Sequence, residues 1–285
     1  MAAQEQTADQ MEVLTNKLLE FRRDYPERSI QVNGTTWRYR VIGESSVRPF
    51  ILLPGGELVN DLGFQFAAEM SSHYRVFYPA YSSVSSMEAL VEGIIGILHA
   101  ERLTKVSVLG ASFGGYVAQL LLRKDPARIE RLILSNTGVP QRYLVKFIQA
   151  LTAITKMMPW SVMQNVLRRA LRKLLGGSQD EQRFWDAYCR ELLTARLSKE
   201  RAVENMRQQR AFHQRFRFHP RDTDDWQGKM LLIESDNDVN GAYRRKALRD
   251  MYPQAELYTF HGGGHVPMFS QREQYLAVVQ RFLLR

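Results

Sequence analysis

The chain has 285 residues, of which 45% are hydrophobic and 24% charged, close to the averages for soluble globular proteins, so a disordered or fibrous architecture is excluded. Cys189 is the only cysteine, which leaves no internal disulfide and no structural zinc site built on this chain's own cysteines; the thiol reads as buried or idle. The formal net charge of +9 is local: Gln141 to Pro220 carry 16 Lys or Arg against 6 Asp or Glu, and the remainder carries 23 against 24.

Taken in chain order, Met1 to Gln10 is polar without the apolar run of a signal peptide, and no stretch approaches the roughly 18 apolar residues of a membrane span. A cytoplasmic location is the expectation. Met11, Leu14, Leu18, Leu19 and Arg22 fall at helical spacing and predict a docking helix over Met11–Arg23, stopped by Asp24, Tyr25 and Pro26. Two short strands, Ser29–Val32 and Thr36–Ile42, flank the turn pair Asn33 and Gly34 and predict an antiparallel hairpin. From Arg48 onward, apolar runs alternate with helical stretches, the pattern of a buried parallel sheet with crossover helices. Strands are expected at Pro49–Leu53, Arg75–Tyr78, Lys105–Leu109, Arg131–Ser135, Lys229–Ile233 and Ala255–Phe260. Helices are expected at Leu62–Ser72, Ser86–Glu101, Gly114–Lys124, Tyr243–Met251 and Arg272–Leu284. Between Thr137 and Trp226 the periodicity is helical throughout, which predicts an all-helical insertion above the C-terminal strand ends, where α/β sheets bind ligands. The expected organisation is a lead-in over residues 1–27, a core made of residues 28–136 and 227–285, and a helical cap over residues 137–226. No internal repeat is present.

The strongest chemical signal is Val106 to Gln119, an apolar strand running into Gly110, Ser112, Gly114 and Gly115 and then a helix. A tight strand-to-helix turn lifts one hydroxyl above the sheet, and glycines around it remove side chains that would collide. Ser112 is therefore the candidate nucleophile, and the Phe113 amide at the helix start is a candidate oxyanion donor. Pro54, Gly55 and Gly56 close the first long buried strand, and Gly56 is chosen as the second oxyanion donor because a backbone without Cβ can approach closely. A serine hydroxyl needs a base. His265 follows the last strand in a glycine-rich loop and is favoured over His261 in the same loop. The base in turn needs a carboxylate to hold its tautomer. Glu234 to Asp238 follow a late strand, and Asp238, at the far end of that turn, is favoured over the mid-turn Asp236. Neither a metal nor a cofactor is expected.

With these residues in place the chain resembles the α/β-hydrolase superfamily from about Arg28 to Arg285, and the resemblance implies that fold, a mostly parallel central sheet flanked by helices with an inserted all-helical cap. The order Ser112, Asp238, His265 is that superfamily's usual order. Within it the chain is most similar to the maspardin group, through the Gly110–Gly115 elbow and two Tyr-Pro pairs, Tyr78 with Pro79 and Tyr252 with Pro253. Some members of that group lack a full triad and act as binding partners, whereas here Asp238 and His265 are both available. Two departures from the superfamily pattern are Pro54 where His often opens the oxyanion loop, and Ser235 where glycine often opens the acid turn. The implied function is a serine hydrolase of a carboxylic ester or related acyl compound with a hydrophobic group. The alternatives are a non-catalytic ligand- or protein-binding member, and a carbon–carbon bond hydrolase or thioesterase on the same parts.

The insertion adds two expectations. Ser161 to Leu175 forms an amphipathic basic helix ending at Gly176 and Gly177; its apolar face is expected to pack on the pocket, with contact to an anionic membrane surface or attraction of acidic substrates as the alternative. Phe147, Ile148, Leu151, Ile154, Met157, Met158 and Trp160 are expected to supply an adaptable apolar pocket wall. The Arg-rich stretch Arg201–Arg217, interleaved with Phe212, Phe216 and Phe218, reads as a solvated helix face rather than a nucleic-acid site, and the partner expected is a small acyl substrate. Oligomeric state is not readable from the sequence.

Overall fold

The computed structural model describes residues 9–175 and 178–285; the helix stop expected at Gly176 and Gly177 lies outside them. The hairpin strands are β1 (Arg28–Val32) and β2 (Thr35–Ile42), paired antiparallel around Asn33 and Gly34, both at positive φ. Six further strands follow: β3 (Arg48–Leu53), β4 (Tyr74–Ala80), β5 (Val106–Ala111), β6 (Ile129–Ser135), β7 (Lys229–Ser235) and β8 (Glu256–Phe260). They form one eight-stranded sheet in the order β1-β2-β4-β3-β5-β6-β7-β8, parallel from β4 to β8, with β2 antiparallel to β4. Because β3 and β4 swap places in that order, the chain leaves β3 toward β4 on one side and leaves β5 toward β6 on the other, and the strand ends between β3 and β5 form the crevice in which ligands bind in such sheets.

The central strands β3, β5, β6 and β7 are buried along most of their length, as expected of strands covered on both faces. The covering helices are α2 (Phe64–Met70), α3 (Met87–Ala100) and α4 (Phe113–Lys124), with α9 (Gly241–Met251), a short α10 (Pro267–Ser270) and α11 (Arg272–Leu284) after the insertion. α3 packs on α4, and α2 packs with α11 and with the N-terminal α1 (Gln10–Asp24). α1 docks through Leu14, Leu18 and Phe21, while Leu19 is exposed.

Between β6 and β7 the described residues hold helices and no strand: α5 (Tyr143–Met157), α6 (Trp160–Leu175), α7 (Gln179–Glu191), a π-helical turn at Leu192–Arg196 and α8 (Lys199–Arg215). The insertion is tied to the core through Asp61, fully buried in the loop after β3. Its carboxylate accepts from Arg22 Nε of α1 at 2.8 Å, from Tyr188 of α7 at 2.7 Å and from Arg196 Nη1 at 2.7 Å. Burial alone would raise this carboxyl, but the two guanidiniums and the phenol hold it below the ordinary range. Cys189 is fully buried in α7, and burial pushes its thiol up to about 12, so it stays a neutral thiol packed as a small hydrophobe. In α8, Phe212 faces inward and stacks on Tyr116 with ring centroids 4.2 Å apart, and just past the helix Arg123 lies 3.6 Å from the Phe218 ring centre.

Candidate active site

The junction of β5 and α4 is a steep turn in which Ser112 takes φ 51°, ψ −117°, a conformation that costs a side-chain-bearing residue on the order of 1–3 kcal/mol and persists only when its surroundings enforce it. They do so here. Ser112 N donates to Ser135 O at 3.0 Å, and Thr137 Oγ1 donates to Ser112 O at 2.7 Å. A Cβ on Gly110 would sit 2.4 Å from Gly114 O, one on Gly114 2.5 Å from Leu53 O, and one on Gly115 2.4 Å from Thr137 Oγ1. The glycine spacing read in the sequence thus reflects close approaches, to backbone at Gly110 and Gly114 and to the Thr137 side chain at Gly115, that leave no room for a Cβ.

Three loops at the C-terminal ends of the strands converge on Ser112. His265, in the loop after β8, places Nε2 3.0 Å from Ser112 Oγ and Nδ1 2.8 Å from Asp238 Oδ1. Asp238, in the turn after β7, also accepts from Asn240 N at 2.9 Å and, on Oδ2, from Asn136 Nδ2 at 3.0 Å. Burial pushes this carboxyl up, but the hydrogen bond and charge of His265, with the Asn240 amide and Asn136, outweigh it and hold Asp238 below the ordinary carboxylate range. The two competitors pair with each other instead: His261 Nδ1 lies 2.9 Å from Asp236 Oδ2 on the surface, and Gly262 N donates to Asp236 at 2.9 Å.

A family model of the alpha/beta hydrolase family matches residues 50–278. The chain belongs to that family. Comparison with curated proteins gives no match. Among solved structures, this α/β hydrolase is similar to a hydrolase from Pseudomonas aeruginosa at 19% identity and TM-score 0.77, covering 90% of this chain and 98% of that one. It is also similar to the enol-lactonase of Burkholderia xenovorans at 17% identity and TM-score 0.73, covering 90% and 100%. A third is the meta-cleavage product hydrolase of Pseudomonas fluorescens at 21% identity and TM-score 0.70, covering 90% and 97%. At these identities the likeness is one of fold.

In this α/β hydrolase, Ser112 and His265 border a cavity of about 220 Å³ whose other walls include Gly55, Gly56, Glu57, Leu62, Tyr78, Met268 and Phe269. Phe113 is the first residue of α4, and the opening amides of a helix have no partner within it. Gly56 borders the cavity and its N–H makes no hydrogen bond among the described residues. The neighbouring Gly55 N–H is occupied, donating to Glu57 Oε1 at 2.9 Å. The steric reason expected for Gly56 belongs to Gly55: a Cβ at Gly56 would meet only Asn205 Oδ1 at 3.7 Å, whereas at Gly55 it would lie 2.6 Å from Glu57 Oε2.

One expectation about the insertion is corrected. Leu171, Leu174 and Leu175 of α6 line the cavity, as anticipated for that basic helix, but Phe147, Leu151, Ile154 and Met157 of α5 are exposed and form no part of its wall. α5 packs on α8 and buries Ile148, Thr152 and Thr155, which turns its larger apolar side chains outward.

Two residues of the site carry no sequence signal strong enough to single them out. Asn136, just after β6 at φ 43°, donates from Nδ2 to Asp238 at 3.0 Å, Gly264 O at 3.1 Å and Ser235 Oγ at 3.2 Å; it ties the acid turn to the histidine loop. The Ser235 that departs from the usual glycine is thereby a buried partner of Asn136. Glu57 borders the cavity, and burial raises its carboxyl, partly offset by the Glu57 and Gly55 amides. Of the two Tyr-Pro pairs, Tyr78 accepts from Gly63 N at 3.1 Å and lines the cavity, while Tyr252 donates to Gln119 Oε1 at 3.0 Å beneath the elbow helix.

Proposed function

We propose that this α/β hydrolase is a cofactor-free serine hydrolase in which Ser112 is the nucleophile, His265 the base and Asp238 the acid. The observation that carries this reading is the unbroken line of contacts from Asp238 through the imidazole to the Ser112 hydroxyl, at 2.8 and 3.0 Å. His265 Nε2 takes the hydroxyl proton as Ser112 Oγ attacks a carbonyl carbon; the carbonyl electron pair moves to oxygen, which the Phe113 and Gly56 amides receive. The imidazolium, stabilised by ionised Asp238, protonates the leaving alcohol as the acyl bond breaks. Water, deprotonated by the same imidazole, then releases the acid and restores Ser112. Metal chemistry plays no part in these steps.

The substrate this reading supports is a carboxylic ester or related acyl compound with a compact hydrophobic group. Leu62, Leu171, Leu174, Met268 and Phe269 supply the apolar contact, and about 220 Å³ accommodates a short acyl chain or a single ring. Residues 137–226 act as the cap over this site, and the protein works in the cytoplasm. Kinship with the maspardin group, carried by the elbow and the two Tyr-Pro pairs, belongs to the same proposal.

A fluorophosphonate probe tests it. Wild type is expected to label covalently and Ser112→Ala not at all. If wild type resists the probe and leaves short p-nitrophenyl esters intact, the non-catalytic binding reading replaces this one.

A further inference from the structure

α5 is turned inside out. Its buried side carries Thr152 and Thr155 beside Ile148; Thr152 Oγ1 donates to Ile148 O at 2.6 Å and Thr155 Oγ1 to Met206 Sδ at 3.6 Å. Its solvent side carries Tyr143, Phe147, Leu151, Ile154 and Met157, with Phe147 66%, Ile154 53% and Met157 86% exposed. The steps of four, four, three and three residues put these side chains on one stripe along the whole helix. A water-facing helix has the opposite arrangement. A contiguous exposed stripe of this kind marks an interaction surface, whereas single exposed apolar residues do not.

The charge around the stripe names the partner. Between Glu130 and Asp180 the sequence contains no Asp or Glu. From Gln141 to Gln179 it has seven cations, and only Arg168 has an ion-pair partner among the described residues, Asp186 at 3.6 Å. Arg142 just before α5, Lys146 and Lys156 on it, and Arg169, Arg172 and Lys173 on α6 are unpaired among the described residues. We infer that α5 and the basic α6 that follows it form a docking surface for an anionic lipid bilayer. The apolar stripe enters the headgroup boundary and the free cations meet the lipid phosphates.

Other occupants fit less well. A second copy meeting this face symmetrically would bring two sets of unpaired cations together, at a like-charge cost. A nucleic acid would match the charge and could stack on Tyr143 and Phe147, but it would leave the aliphatic Leu151, Ile154 and Met157, more than half of the stripe's five side chains, facing water. No helix among the described residues is long and apolar enough to cross a membrane, so the contact is peripheral. It also sets α6, whose Leu171 and Leu174 line the cavity, beside an apolar phase. The inference does not depend on the reaction proposed above, because its readout is binding.

The test is co-sedimentation of the full-length protein with vesicles of phosphatidylcholine alone and with roughly one-third phosphatidylglycerol. Wild type is expected to bind the anionic vesicles, to leave the neutral ones at least about tenfold less occupied, and to dissociate as salt rises toward about 0.5 M. Phe147→Ser with Ile154→Ser and Met157→Ser is expected to weaken binding at least about tenfold. These positions are exposed, so the thermal midpoint should hold; Lys146→Glu with Lys156→Glu provides a second route to the same loss without touching the stripe. Wild type that ignores anionic vesicles, or a serine variant that binds them as tightly as wild type, would overturn the inference. So would a dimer in light scattering that the serine variant abolishes, which reassigns the face to a second copy.

Discussion

Two imidazole–carboxylate pairs stand on the same two loops, and they differ by almost nothing in length. Asp238 and His265 meet at 2.8 Å, Asp236 and His261 at 2.9 Å, both through Nδ1. What separates them is enclosure. The side chains of Asp238 and His265 are 1% and 13% exposed, those of Asp236 and His261 46% and 88%. In water a pair at this distance is worth roughly 0–1 kcal/mol, whereas the same geometry in a low-dielectric pocket orients a ring and holds a charge. The far nitrogen differs as well: in the buried pair it faces the Ser112 hydroxyl. Contact distance alone therefore does not distinguish the pair proposed for catalysis from its neighbour; the surroundings and the second partner do.

Crossed substitutions break or sharpen this comparison, and they carry the largest expected effects. His265→Gln should lower kcat/KM for a short ester on the order of 10⁴-fold or more, since the serine loses its base. Asp238→Asn should cost roughly 10⁴-fold by favouring the wrong tautomer. His261→Gln and Asp236→Asn should stay within about threefold of wild type, as exposed changes do. Steady-state kinetics on the four variants decide the matter. Equal losses from Asp236→Asn and Asp238→Asn would show that the turn as a whole, not the buried carboxylate, supports the reaction.

Much of this arrangement is written locally and can be read from the sequence. Gly110, Gly114 and Gly115 reveal the elbow because each removes a specific clash within a short stretch of chain or against an adjacent strand end. The strand and helix runs follow from periodicity, and β7 and β8 deliver Asp238 and His265 to the same sheet edge as β5 delivers Ser112. Asn136 was not legible. Its importance comes from contacts with Ser235, Asp238 and Gly264, about a hundred or more residues away, and an Asn after a strand signals only tolerance of a left-handed backbone. Glu57 was hidden for a similar reason: its side chain folds back on Gly55 in a way that spacing does not reveal. The orientation of α5 could not be read either. Periodicity finds a stripe, but only the packing against α8 shows that the threonine side is the buried one.

A third imidazole extends the comparison to burial without a carboxylate. His213, in α8, is 1% exposed and accepts from Gln141 N on Nδ1 at 3.2 Å. Burial first, and the nearby Arg244 charge second, push it down to about 3. In the unfolded chain it titrates near 6.5, so its neutral form contributes stability that is fully present above about 6.5 and is lost as pH falls toward 3. Between pH 7 and about 4.5 this term should remove on the order of 2 kcal/mol. The unfolding free energy of His213→Gln, followed by urea titration, should fall less steeply than that of wild type by that amount. Parallel slopes would mean that water reaches this ring in the folded protein.

The smallest effect isolates positioning from chemistry. Asn136 touches neither Ser112 nor the cavity; it holds the buried carboxylate and the histidine loop together. Asn136→Ala should lower kcat about tenfold with KM nearly unchanged, because the acid loses one hydrogen bond of roughly 1–1.5 kcal/mol while the cavity wall stays intact. Fluorophosphonate labelling of Ser112 should slow in the same proportion. The matched control is Asn237, which accepts from Gly264 N at 2.7 Å on the exposed side of the same loop. If Asn237→Ala slows labelling as much as Asn136→Ala does, loop stiffness sets the rate; if only Asn136→Ala does, the enclosed hydrogen bond to Asp238 sets it.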